Sequence, residues 1–156
     1  MISQVSLALY NIRSTHNVGS IFRTGDAVGV SKIYLCGYTP APIDRFGRAR
    51  QDIAKASLGA EKTVTWESIP DIFSLISKLK KEKYKIYALE QNKKSKDFRK
   101  IEVKGKSLLI LGNEVEGIEK DILDKCDEII EIPMKGKKES LNVSVAAGVA
   151  LFQIAI

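Results

Sequence analysis

Three stretches of this sequence gather amides, carboxylates, hydroxyls and arginines beside glycines: YNIRSTHNVGSIFRTGDAVGV (10–30), LLILGNEVEGIE (108–119) and IPMKGKKESLNVS (132–144). GNEVEG opens like a phosphate loop, but Ile118 and Glu119 stand where lysine and Ser/Thr are required, and Glu114 and Glu116 would repel phosphate. No G-x-G-x-x-G follows a strand-like run. A metal site is not expected: His16 is the single histidine, Cys36 and Cys126 lie far apart, and the carboxylates form no Asp-rich loop. A Ser/His/Asp hydrolase would have to use His16, and no nucleophile elbow accompanies it. The remaining inventory suits a neutral or cationic adenosine cofactor. Main-chain N–H and C=O groups can read an adenine, and a polar or acidic loop tolerates a sulfonium. The tail ESLNVSVAAGVALFQIAI adds a question, because Ser140, Asn142 and Ser144 sit at the mouth of its most apolar segment. An amide there is costly to bury unpaired.

Such loops need a scaffold, and the chain alternates short β-type runs with helical patterns. The strand candidates are 5–10, 32–36, 63–66, 85–90, 107–112 and 128–133, several of them unbroken apolar runs of the kind covered on both faces. Residues 69–83 put Ile69, Ile72, Phe73, Ile76 and Leu79 on one helical face, opposite lysines. Residues 17–28 and 119–126 also read as helical, whereas 37–51 reads as one long irregular loop. The alternation predicts an α/β domain with a mostly parallel sheet covered by helices. Ligands in such sheets collect at the C-terminal ends of the strands, where all three polar stretches begin.

The bulk properties bound the partners. A chain of 156 residues with 44% hydrophobic and 28% charged side chains reads as one soluble domain. Its net charge of +6 favours a polyanion such as nucleic acid. The isolated cysteines read as reduced, partly buried thiols rather than a disulfide, which implies a cytoplasmic protein. Residues 141–156 are the one membrane candidate. They fall short of a span and are interrupted by polar side chains, so no membrane is expected.

Taken together and in order, the three stretches resemble the SpoU (TrmH-like) family of RNA ribose 2′-O-methyltransferases, within the SPOUT superfamily. NIRSTHNVGSIFRTGDAVGV resembles its first motif, LLILGNEVEGI its second and IPMKGKKESLNVSVAAGVALF its third. The resemblance covers nearly the whole chain. It implies residues 1–156 as a single SpoU-type methyltransferase domain with no appended RNA-binding domain. It also implies a C-terminal trefoil knot, S-adenosylmethionine as cofactor (S-adenosylhomocysteine as product), no metal, and a homodimer with its active site at the interface. The RNA substrate it implies is tRNA in preference to rRNA. The alternatives are a non-catalytic RNA-binding knotted dimer and a base-modifying SPOUT methyltransferase.

The same resemblance assigns roles. Arg23 would activate or stabilise the 2′-oxygen across the dimer interface; otherwise it pairs with Asp26 on its own helix. Asn17 would orient Arg23 or the substrate, or else cap a helix. Glu114 would position substrate or its neighbours, and Asn142 would bind substrate or order the pocket. Ser140 would stand in the pocket, with an N-cap role compatible. Leu89, Gly112, Ile132, Met134, Ser140 and Leu141 would line the cofactor site. Arg45, Arg48, Arg50 and Lys55, after the proline-containing loop, are the candidate RNA contacts.

Overall fold

The strands with unbroken apolar runs form the middle of the sheet. The computed structural model describes residues 3–156. Its strands are β1 (Gln4–Tyr10), β2 (Ile33–Cys36), β3 (Trp66–Ser68), β4 (Lys85–Leu89), β5 (Lys96–Asp97), β6 (Lys106–Leu111) and β7 (Glu128–Glu131). They assemble as one seven-stranded sheet in the order β3-β2-β1-β6-β4-β7-β5. Every pairing among them is parallel. The helices are α1 (Thr15–Val28), α2 (Gln51–Ser57), α3 (Ala60–Thr63), α4 (Ile72–Lys81), α5 (Lys120–Leu123) and α6 (Val143–Ile154).

Period-two alternation divides the core into two layers. Leu7, Leu9, Leu109 and Leu111 point to the side packed by Val18, Ile21 and Phe22 of α1, Ile53 of α2, and Ala147, Ala150 and Leu151 of α6. Ala8, Leu108 and Ile110 point to the other side, under Ile72, Leu75, Ile76 and Leu79 of α4 and Ile122 of α5. With both faces covered, the central strands gain nothing from polar alternation, which is why they read as solid apolar runs.

Three expected elements shift. The helix over 69–83 starts only at Ile72, because Asp71 caps it by accepting from the Phe73 N–H at 3.0 Å, directly after Pro70. Leu75 then joins its buried face, and Phe73 turns outward. The strand over 63–66 is also displaced. Thr63 closes α3, and β3 begins at Trp66 as a short edge strand. The loop 37–51 ends where α2 begins, a helix with few buried side chains and hence little periodicity to read.

α6 differs from the other helices in being apolar all round. One side enters the core, while Val145, Val149, Phe152 and Ile156 remain exposed as a stripe. Among the described residues, no helix is long and apolar enough to cross a membrane.

Candidate functional site

The C-terminal ends of the adjacent strands β6, β4 and β7 open into a cavity of about 430 Å³. Its walls include Leu89, Gly112, Ile132, Met134 and Leu141, with Asn17, Glu114, Ser140 and Asn142 supplying side-chain polarity. Of the ten catalytic and cofactor residues expected from the sequence, nine therefore converge on this cavity, and Arg23 does not. Three of them form one hydrogen-bonded chain. The Asn142 amide Nδ2 donates to Asn17 Oδ1 at 3.2 Å, and Asn17 Nδ2 donates to Glu114 Oε2 at 3.0 Å.

Glu114 closes that chain onto the start of α1. Its carboxylate accepts from the N–H groups of Arg13 at 3.0 Å and Ser14 at 2.9 Å. A carboxylate at a helix N-terminus satisfies donors that the helix leaves unpaired and complements its dipole. Burial pushes the Glu114 carboxyl up, but these N–H groups and the Asn17 amide together hold it below the usual range. Its contacts are thus with the protein framework. The helix cap itself is Ser14, whose Oγ accepts from the Asn17 N–H, so Asn17 is free to turn its amide sideways. At α6 the cap is Asn142, whose Oδ1 accepts from the Ser144 N–H at 2.8 Å; Ser140 lies before the helix. The amide that began as a puzzle is paired at both ends.

Gly112 is required by close approach. A Cβ there would lie 2.5 Å from Ile118 Cγ1 and 2.7 Å from the Gly117 carbonyl. Three further wall residues, Glu90, Gln91 and Asn113, were not singled out from the sequence. Glu90 accepts from the Ile118 N–H at 2.8 Å, tying the end of β4 to the turn after β6. Asn113 donates to the Asn11 carbonyl at 2.8 Å and to the Tyr38 hydroxyl at 2.9 Å, while its Oδ1 accepts from the N–H groups of Val115 and Glu116. Gln91 Nε2 donates to the Glu139 carbonyl at 2.5 Å. The readable signal was position, since each polar side chain lies within two residues of a strand end.

That last bond is notable for its company. Among the described residues, it is the one hydrogen bond made by the main chain of 133–141. The loop therefore keeps its N–H and C=O groups available on a wall otherwise built from Leu89, Ile132, Met134 and Leu141. An apolar slot edged by unspent main-chain groups fits an adenine ring, and the polar chain at its mouth fits a charged sulfonium. Thiol chemistry does not fit, because burial pushes Cys36 up to about 12 and Cys126 to about 11. Among the described residues, no cluster of His, Cys, Asp or Glu could hold a metal ion.

Arg23 is exposed on α1 and does not line the cavity of its own chain. Its pairing with Asp26 is not formed; Asp26 instead accepts from Thr63 Oγ1 at 2.9 Å. The next residue, Thr24, packs against Gly148 of α6, its Cγ2 3.5 Å from where a Cβ would be. Arg45 and Arg48 project from the loop after β2, and Lys55 is exposed on α2. Arg50 is drawn inward, with a buried Nε and the carboxylates of Asp44 and Asp52 close by.

The sequence model of the SpoU rRNA Methylase family matches residues 4–152. A Staphylococcus aureus protein assigned to the TrmH family of tRNA/rRNA methyltransferases is 34% identical over 148 residues, covering 95% of this chain and 57% of its own length. The tRNA (guanosine(18)-2′-O)-methyltransferase of Aquifex aeolicus is 33% identical over 143 residues, covering 92% of this chain and 64% of its own. The chain thus spans less than two thirds of either relative. Among solved structures, the AdoMet-bound rRNA methyltransferase of Sinorhizobium meliloti superposes with a TM-score of 0.85 at 26% identity, over 96% of this chain and 55% of that one.

Proposed function

The chain belongs to the SpoU methylase family, and we propose that it transfers a methyl group from S-adenosylmethionine to a ribose 2′-hydroxyl of RNA, with tRNA as the favoured substrate. The observation that carries this reading is the Asn142–Asn17–Glu114 chain, which joins one residue from each of the three polar stretches at the rim of a single cavity. Relatives named as 2′-O-methyltransferases of tRNA and of rRNA support the reaction class.

Leu89, Gly112, Ile132, Met134, Ser140 and Leu141 would hold the cofactor, whose sulfonium supplies the electrophilic methyl group. A ribose hydroxyl is a poor nucleophile until its proton is withdrawn or its developing charge is met. Arg23 takes that part, holding the 2′-oxygen and an adjacent RNA phosphate. Asn17, tied to Glu114, keeps the start of α1 in register with the pocket, while Asn142 anchors α6 to the same point. Ser140 faces the incoming nucleotide from the third loop.

Because Arg23 lies outside its own chain's cavity, the reading requires a homodimer in which Arg23 completes the partner's site. The exposed Val145, Val149, Phe152 and Ile156 at the C-terminal helix offer the apolar surface for that contact. The reading also includes the knotted passage of the C-terminal segment and residues 1–156 acting as one catalytic domain. It places the enzyme in the cytoplasm, where two free thiols are at home. Arg45, Arg48 and Lys55 meet the RNA directly, and Arg50 braces the loop that presents them.

The test uses labelled S-adenosylmethionine with unmodified tRNA and rRNA, followed by alkaline hydrolysis. Label in alkali-resistant dinucleotides is expected, because a 2′-O-methyl group blocks attack on the neighbouring phosphate. Arg23→Ala should lower kcat about 100-fold or more while cofactor affinity stays unchanged. Label in mononucleotides, or an Arg23→Ala enzyme of full activity, would overturn the reading.

A further inference from the structure

The loop between β2 and α2 exposes a ring that methyl transfer does not use. Phe46 is 65% exposed at the loop's tip. The guanidinium carbons of Arg45 and Arg48 lie 4.8 and 5.0 Å from its ring centroid. The cluster is cationic, aromatic and solvent-facing.

The tip is also held in shape. Ile43 and Ala49 form an antiparallel bridge, and the Asp44 N–H donates to the Arg48 carbonyl at 2.8 Å. Asp44 Oδ1 then accepts from the N–H groups of Phe46 at 2.8 Å and Arg48 at 3.0 Å. Gly47 completes the turn with φ of 78°, a conformation that favours glycine. Asp44 Oδ1 takes these donors while its Oδ2 pairs with Arg48 Nε at 3.4 Å, so Asp44 fixes the loop and holds Arg48 beside the ring, with Arg45 outward next to it. Such a loop loses little entropy when it binds.

We propose that Phe46, flanked by Arg45 and Arg48, is a stacking platform for an unpaired base of the RNA substrate. This rests on the RNA-binding part of the proposed function and adds a substrate class: the methylated ribose lies next to a nucleotide that is free of base pairing. An exposed ring offers a face that any splayed base can cover, whereas a duplex keeps its base faces stacked internally. The adjacent guanidiniums reach the phosphates on either side. The position suits this use. β2 is separated from β6 only by β1, so at roughly 4.8 Å per strand the loop's root is about 10 Å from the cavity wall. At that root Tyr38, itself 57% exposed, bonds through its hydroxyl to Asn113 of the wall. An extended strand with its ribose in the cavity can lay a neighbouring base on the tip.

The test is fluorescence anisotropy with a labelled single-stranded RNA of mixed sequence and its duplex, without cofactor, across a salt series. Wild-type protein should prefer the single strand. Phe46→Ala should weaken single-strand binding about fivefold or more, and Phe46→Leu should do the same, while Phe46→Trp retains affinity. None of the three should alter duplex binding or the salt slope, whereas Arg45→Ala should reduce the slope by about 1. Thermal melts of the Phe46 variants should match wild type, the ring being exposed. Unchanged binding in Phe46→Ala would overturn the proposal, as would full rescue by Phe46→Leu, which would mark a plain apolar contact such as a protein partner makes. Because no methyl transfer is read, this result stands apart from the labelling experiment: failure there with success here removes the catalysis and keeps the platform.

Discussion

Two loops face each other across the cavity, and they are built on opposite plans. The turn after β6 is saturated with hydrogen bonds. Asn113 exchanges main-chain bonds with Gly117, its side chain holds four further partners, and Glu90 and Glu114 pin the turn to β4 and α1. The segment 133–141 after β7 has one such bond, from Gln91. A wall so heavily bonded presents a fixed shape. A wall with nearly all of its donors spare is ordered by whatever it binds. Under the proposed function the pair would divide the work, with rigidity at the catalytic rim and adaptability at the cofactor.

Substitutions in the two loops should separate these roles. The largest effect is expected from Gly112→Ala, whose Cβ would strike the Gly117 main chain, which cannot swing aside. A loss of about 3 kcal/mol in urea unfolding is expected, and a loss near zero would show that the turn is softer than its bonds imply. Glu114→Gln comes next, at about 1–2 kcal/mol, since a neutral amide accepts more weakly from Arg13, Ser14 and Asn17. Its pH dependence adds a signature. The native carboxyl is depressed, so its contribution is fully present above the ordinary value of 4.5 and fades as pH falls through the lower native one. Wild type should lose that increment on acidification, and Glu114→Gln should lack this component of the acid limb.

Across the cavity the effects should move from stability to binding. Gln91→Ala should leave the unfolding free energy within about 0.5 kcal/mol but weaken S-adenosylmethionine binding about two- to tenfold by calorimetry. Gln91→Glu, which cannot donate to the Glu139 carbonyl, should match it. A large stability loss in either variant would mean that the third loop is a framework element after all. Gly136→Ala should do least, because a Cβ there meets open space. Unchanged unfolding is expected, to within about 0.5 kcal/mol.

The contrast also marks what could be read from the sequence. The strands β1, β4 and β6 were legible because burial on both faces demands solid apolar runs, and the parallel α/β plan followed from their alternation with helices. β3 was misplaced because Val64 is buried without being in a strand, and Trp66–Ser68 carry an edge strand's mixed polarity. The two-residue β5 leaves no pattern at all. At the site, the cavity residues were legible through the family resemblance, but their bonding was not. Asn17 and Ser140 looked like helix caps, yet the caps fall to Ser14 and Asn142, since capping depends on where the backbone turns helical and not on composition. Glu90, Gln91 and Asn113 escaped notice because a single polar residue after a strand is ordinary until its partners, many residues away, are known.

The place of β1 in the sheet sets a timetable for folding. This first strand lies between β2 and β6, and its longest ladder runs from Gln4 against Lys106 to Leu9 against Leu111. One edge of β1 therefore waits for a strand that is made about a hundred residues later. At synthesis rates of roughly 5–20 residues per second, that is an interval of about 5–20 s during which the chain carries an open, apolar strand edge. Contacts this distant in sequence also slow folding once the chain is complete. Newly made protein should pass through a state that is prone to aggregation and engages chaperones, and its yield in the cell should depend more on the rate of translation than on the stability of the finished fold.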